Sequence, residues 1–274
     1  MVLNLRKCQT HAITPDVMAM LCLLAGTGMR ELISSFPNDI NWSIESNESI
    51  RVSSPWGEVP AVLLTISDSE GSSHRISLIQ RHHGDGVVTP PHMIEHRANV
   101  HAASSFSPEV VVSINSVGSL RSDFPPGNIG LAEQTLDFTG RVWTFHDDDA
   151  THADMTSHFD SEISGVASNA LLESQDSVLR LVVAQMTGPQ FETSAEIEAL
   201  SRMGADAVGM TLTAEAKLIA ELGLRHVALS VSSNWAAGRT PGDAAAEIDH
   251  HAVEGLASKV HARLWSAIVS ILAQ

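Results

Sequence analysis

The run Glu109 to Asn115 (EVVVSIN) constrains this chain most. It is short, almost unbroken in its apolar content and rich in β-branched residues, which is the pattern of a strand buried on both faces. A cluster of small polar residues, Ser116-Val117-Gly118-Ser119, follows it directly. The arrangement recurs along the chain. Met18 to Leu24 reads as a buried strand ending in Ala25-Gly26-Thr27-Gly28. Val59 to Ile66 and Arg75 to Gln80 read as a hairpin around a Ser/Gly/Asp turn. Asn128 to Ala132, Leu181 to Met186, Ala207 to Met210 and Val227 to Val231 supply further strands.

Helical signals alternate with these strands. Thr193 and Glu196 have the T-x-x-E spacing of a capping box, followed by Ile197, Leu200 and Met203 at helical intervals. A second helix starts at Thr213 and stops at Gly223. Asp243 to Leu272 reads as a final helix with Ile248, Ala252, Leu256, Val260 and Leu264 along one face. Strand–helix alternation implies an α/β fold, a twisted central sheet that is at least partly parallel and is flanked by helices. No linker of Pro, Gly and Ser divides the 274 residues, so one domain is expected.

Charge narrows the function. Lys plus Arg is 16 against 32 Asp plus Glu, a formal charge of −16. That argues against a nucleic-acid partner, although a small anion needs only local positive groups. With no Tyr, five Trp and seven Phe, platforms for stacking nucleic-acid bases are scarce. Two cysteines, Cys8 and Cys22, make no disulfide framework and fit a reducing, cytoplasmic compartment. Val17 to Met29 is uncharged but too short for a membrane helix, so no membrane partner is expected. Its likeness to a signal peptide is broken by Pro15 and Asp16 just upstream.

In such sheets ligands sit beyond strand ends, so the residues just after strands are the candidates. Glycines in Gly26-Thr27-Gly28 let backbone approach an anion, or simply make a tight turn. Arg81-His82-His83-Gly84 offers a fork-shaped cation, or a surface basic loop. Ser116, Gly188 to Glu192 and Ser232-Ser233-Asn234 add polar groups that are either networked or open to a ligand. His146, Asp147, Asp148, Asp149, His152, Asp154 and His158 form an inventory suited to a metal. They lack ligand spacing on a helix and a cysteine, so a solvated acidic loop is the reading.

Together the motifs resemble the purine nucleoside phosphorylase family. The resemblance is carried by Gly188 to Thr211 (GPQFETSAEIEALSRMGADAVGMT), Leu229 to Gly238, Ile114 to Leu120, and Arg81-His82 with Pro90-Pro91-His92 and Arg97-Ala98-Asn99. The last pattern and Asp137 to Arg141 (DFTGR) are most similar to the methylthioadenosine/methylthioinosine phosphorylase branch. The match runs over about residues 20 to 260, and residues 1–17 have none. The chain departs from the branch at Ala25, in an Arg81 to Gly86 loop one residue longer that carries Asp85, and at Glu95-His96.

The resemblance implies a single nucleoside phosphorylase domain. It implies reversible phosphorolysis of a 6-oxopurine nucleoside, inosine, guanosine or 5′-methylthioinosine, to free purine and ribose 1-phosphate or its methylthio counterpart, in purine salvage. A non-catalytic nucleoside-binding member, or a methylthioadenosine phosphorylase, is the alternative. Thr27, Arg81, His82, Ser116 and Thr211 would hold phosphate. Met210 would pack under the ribose, Phe191 on the purine. Glu192 would accept from N1–H and Asn234 would face N7 and O6, with His82, Glu192 and Asn234 acting in catalysis. His250 would lie at the 5′ side, together with His152 of a neighbouring subunit in a homotrimer. No metal or organic cofactor is implied, and phosphate is a co-substrate.

Overall fold

The computed structural model describes residues 17–37, 41–84, 88–248 and 257–274. Nine strands form one sheet in the order β2-β3-β4-β1-β5-β8-β7-β6-β9. They are β1 (Val17–Ala25), β2 (Trp42–Ser54), β3 (Gly57–Asp68), β4 (Ser73–Gln80), β5 (Val110–Ser119), β6 (Ile129–Asp137), β7 (Arg180–Gln185), β8 (Ala207–Gly209) and β9 (Arg225–Trp235). The helices are α1 (His96–Ser105), α2 (Ser161–Leu172), α3 (Ser194–Arg202), α4 (Leu212–Glu221) and α5 (Ala257–Leu272).

The expected mixture of strand directions is present. β4, β1, β5 and β9 run parallel, whereas β2–β3, β3–β4, β5–β8 and β6–β9 are antiparallel pairs. Because β9 pairs with both β5 and β6, the strands β5, β8, β7, β6 and β9 close into a ring. The β3–β4 hairpin turns on Asp68, whose Oδ1 accepts from the amides of Glu70 and Ser72 at 2.9 Å each. The capping box at Thr193 and Glu196 opens α3. Gly223, at φ 64°, follows the end of α4.

Four elements depart from the sequence reading. β2 was unforeseen because most of its residues are exposed and polar, so it carries no apolar alternation. α1 and α2 were likewise unforeseen; α2 buries Ile163, Ala167, Ala170 and Leu171 at helical spacing, and Asp160 caps it by accepting from the amide of Ile163. The final helix is described over Ala257–Leu272, while residues 243–248 are turn and irregular chain. The rest of that expected helix, 249–256, lies outside the described residues. The core between α5 and the sheet is centred on Trp265, which is fully buried. Its ring meets Phe36 edge-on at 4.7 Å, and its Nε1 donates to the Leu32 carbonyl at 2.7 Å.

Candidate active site

A cavity of about 330 Å³ opens where β1, β4, β5, β8 and β9 end. Thr27, Arg81, His82, Ser116, Phe191, Glu192, Met210, Thr211 and Asn234 all line it. Nine of the expected site residues therefore meet in one space, drawn from segments as far apart in sequence as 27 and 234.

The turn after β1 is fastened from several sides. The Gly26 amide donates to the Ile114 carbonyl at 3.1 Å, and the Arg81 amide donates to the Ala25 carbonyl at 2.9 Å. Gln80 Nε2 donates to the Met29 carbonyl, and His261 Nε2 lies 2.9 Å from the Gly28 carbonyl. These bonds hold Thr27 against Ser116, whose hydroxyl donates to the Thr27 carbonyl at 3.0 Å.

Thr211 precedes the first turn of α4. Its hydroxyl does not cap the helix but accepts from Asn115 Nδ2 at 2.8 Å. Its own hydrogen and the helix N-terminus are thus available to an anion in the cavity. The start of α4 is pinned by Gln185, whose Oε1 accepts from the Ala214 amide at 3.0 Å.

Arg81, read from the sequence as a fork-shaped cation or part of a surface basic loop, is 2% exposed and paired with Glu215, which is fully buried. The nitrogens Nε and Nη2 donate to the Glu215 carboxylate at 2.5 and 3.1 Å. Glu215 gave no sequence signal beyond being one charge on the apolar face of α4, between Ala214 and Ala216.

His82 is half-buried, and burial pushes its pKa down to about 4, with Arg81 adding to the effect. His83 Nε2 meets Asn99 Oδ1 at 2.8 Å, and Asn99 Nδ2 donates to the Arg81 carbonyl at 3.1 Å. His96, one of the departures from the branch, is buried and its pKa is pushed down to about 3 by desolvation. Asp85 lies outside the described residues.

Along β5 the lining changes character. Ser116 touches Thr27, and two residues on, about 7 Å along a strand, Gly118 lies against Asn234. A Cβ on Gly118 would lie 3.2 Å from Asn234 Nδ2. Asn234 Oδ1 accepts from the Ser233 hydroxyl at 2.9 Å, and Nδ2 donates to the Trp235 carbonyl at 2.8 Å. Each end of the amide keeps one further hydrogen-bonding position. Glu192 is half-buried, and desolvation raises its pKa above the usual carboxylate value. Phe191 is 43% exposed, its ring at the rim of the cavity. Gly188, at φ 66°, lets Met210 lie against the loop.

One expected residue, His152, does not join the cavity; it is exposed. His250 lies outside the described residues; Ile248, placed by sequence on a helix face, lines the cavity. In the acidic loop His146 pairs with Asp149 at 3.1 Å and Asp147 with Arg97 at 3.3 Å. No group of three or more potential metal ligands gathers among the described residues.

The chain is similar to known proteins over most of its length. The profile of a family described as "Phosphorylase superfamily" matches residues 45–270. A Methanosarcina acetivorans protein named "Probable S-methyl-5′-thioinosine phosphorylase" is 38% identical over 194 residues, 70% of this chain and 72% of that protein. The "6-oxopurine nucleoside phosphorylase" of Pyrococcus furiosus is 30% identical over 235 residues, 81% of each chain. Among solved structures, a methylthioadenosine phosphorylase from an antarctic soil metagenomic library aligns with a TM-score of 0.76 at 24% identity, covering 94% of this chain and 88% of that one. At that identity the likeness concerns the fold.

Proposed function

Because the chain belongs to the phosphorylase superfamily, we propose that it catalyses the phosphate-dependent, reversible cleavage of a 6-oxopurine nucleoside to free purine and a ribose 1-phosphate. The observation that carries this reading is the single cavity uniting hydroxyls, Arg81 and His82 with Phe191, Glu192 and Asn234. A phosphate oxygen attacks C1′ as the bond from C1′ to N9 breaks, and the bonding pair leaves with the purine. Thr27, Ser116, Thr211, Arg81 and His82 hold the attacking oxyanion. Met210 packs under the sugar as it gains oxocarbenium character. N7 takes a proton from solvent as the base departs; Asn234 accepts from that N7–H and donates to O6, and Glu192 accepts from N1–H. Catalysis is positioning plus electrostatics, with no covalent enzyme intermediate and no metal or organic cofactor; phosphate is the co-substrate.

Between the two 5′ groups, Ile248 favours methylthio. An apolar side chain lining the cavity two residues before the segment expected at the 5′ side suits a thioether better than a hydroxyl. 5′-Methylthioinosine is then the better substrate, the product is 5-methylthioribose 1-phosphate, and the place of the reaction is purine salvage. The enzyme acts in the cytoplasm as a single-domain protomer of a homotrimer. His152, exposed on its own chain, serves the neighbour's 5′ side. Val142 and Met93, 83% and 65% exposed, offer apolar surface for that contact.

Purified protein incubated with inosine or methylthioinosine should release hypoxanthine only when phosphate is present. No release, or release that is independent of phosphate and abolished by a chelator, overturns the reading. A monomer by light scattering that keeps full activity on dilution overturns the trimer.

A further inference from the structure

We infer that Glu215 is the positioning residue for Arg81, aiming one guanidinium N–H at the anion end of the cavity. Arginine has five N–H donors. Four are spent inside the fold: Nε on Glu215 Oε1 at 2.5 Å, Nη2 on Glu215 Oε2 at 3.1 Å and on the Leu24 carbonyl at 2.6 Å, and Nη1 on the Ile114 carbonyl at 2.8 Å. The one donor left is on Nη1. That nitrogen rests against the turn after β1, where a Cβ on Gly26 would come within 2.2 Å of it. The same turn carries Thr27, which lines the cavity beside Arg81.

Glu215 does two things in this arrangement. It supplies the counter-charge without which a buried guanidinium would be strongly unfavourable. It also grips two edges of a planar fork, which fixes the direction of the third. Arg81 thereby meets phosphate as one oriented donor within a neutral pair, not as a loose positive charge. Gly26 completes the device, since any side chain there would occupy the space of Nη1. The inference rests on the phosphorolysis reading and deepens it, because neither the motifs nor the family resemblance assigned Glu215 a role.

The test compares wild type with Glu215→Gln and Glu215→Asp, measuring phosphate KM, nucleoside KM and kcat, and titrating inorganic phosphate calorimetrically. Glu215→Gln removes the charge and turns one acceptor into a donor facing the fork. Its phosphate KM and Kd should rise about tenfold or more, with nucleoside KM within about twofold of wild type. Glu215→Asp, which keeps the charge, should recover part of the loss. If Glu215→Gln does not fold, Glu215→Asp decides alone: a raised phosphate KM with an unmoved nucleoside KM supports the role. A folded variant with unchanged phosphate KM and Kd, or with both KM values raised equally, overturns it. Wild-type protein that binds phosphate but cleaves no nucleoside would defeat the phosphorolysis reading by itself. The phosphate titrations of the variants would still decide on Glu215.

Discussion

His82 Nδ1 lies 2.9 Å from the backbone carbonyl oxygen of Thr89. A carbonyl can only accept, so Nδ1 carries the ring proton and Nε2 keeps its lone pair. Burial pushes the pKa down to about 4, so the ring is neutral at the pH of the cell. In the proposed reaction, His82 therefore meets phosphate as an acceptor for a P–OH proton, not as a second cation. The pH profile of kcat/KM for phosphate should lack a histidine limb near about 6.5. His82→Asn should lower kcat/KM by about tenfold or more without changing the shape of the profile between about pH 5.5 and 8. A wild-type limb in that range that vanishes in the variant would show that the ring titrates there.

Acid stability follows from two other histidines. His96 and His226 are buried, and desolvation holds each pKa at about 3, against 6.5 for a free ring. Below about pH 6.5 the unfolded chain takes up protons that the folded protein refuses, so stability falls with pH. The loss continues until the folded rings themselves protonate, near about pH 3. Urea midpoints should thus decline steadily as pH is lowered from about 6.5 to 4. His226 Nε2 lies 2.9 Å from Ser113 Oγ within the sheet. His226→Gln should flatten the decline by about one proton if the variant folds. An identical slope in the folded variant would remove His226 from the account.

Much of this site was legible because the chemistry-bearing residues sit directly after strong strand signals. Ser116 follows EVVVSIN, and Ser233 and Asn234 extend β9 beyond Val231. What was not legible has physical reasons. β2 is an edge strand whose exposed polar residues leave no period-two pattern. Glu215 lies 134 residues from Arg81, and a local pattern cannot report a pairing at that distance. The register of Asp243 to Ile248 was read as helix because Ile248 fits the α5 stripe, yet its side chain is taken up by the cavity.

Gly188 is fixed by Met210. The glycine has φ 66°, and a Cβ there would lie 2.5 Å from Met210 Sδ. Gly188→Ala combines a left-handed backbone with that overlap, so it should cost about 1–3 kcal/mol of stability. The thioether must also move from its place in the cavity, so nucleoside KM should rise more than phosphate KM. Met210→Ala in the Gly188→Ala background should restore part of the stability by opening the space. Equal stability of Gly188→Ala and wild type would show that the loop relaxes without cost.

In the proposed reaction, base choice rests on Asn234 and Glu192. The Asn234 amide has its oxygen held by the Ser233 hydroxyl at 2.9 Å and its nitrogen on the Trp235 carbonyl at 2.8 Å, which fixes which end is which. One N–H and one oxygen lone pair remain for a ligand. A departing 6-oxopurine offers O6 to the former and N7–H to the latter. Glu192 takes N1–H at the opposite edge, and its pKa, raised by desolvation, marks a carboxylate already partly withdrawn from water. Adenine presents an amino donor where Asn234 donates, and a bare N1 where the Glu192 carboxylate accepts. Each mismatch leaves polar groups unpaired in a closed site, so discrimination of about 10²–10⁴ in kcat/KM is expected. Asn234→Asp should narrow the gap mainly by losing the oxopurine. The new carboxylate would still accept from Ser233 but would face the Trp235 carbonyl with a second acceptor. The measurement is kcat/KM for methylthioinosine and methylthioadenosine on wild type, Asn234→Asp and Glu192→Gln. Glu192→Gln should reduce the methylthioinosine value without raising that for methylthioadenosine to match it, because Asn234 still opposes the 6-amino group. Wild-type cleavage of the two nucleosides at equal efficiency would overturn this assignment of both residues.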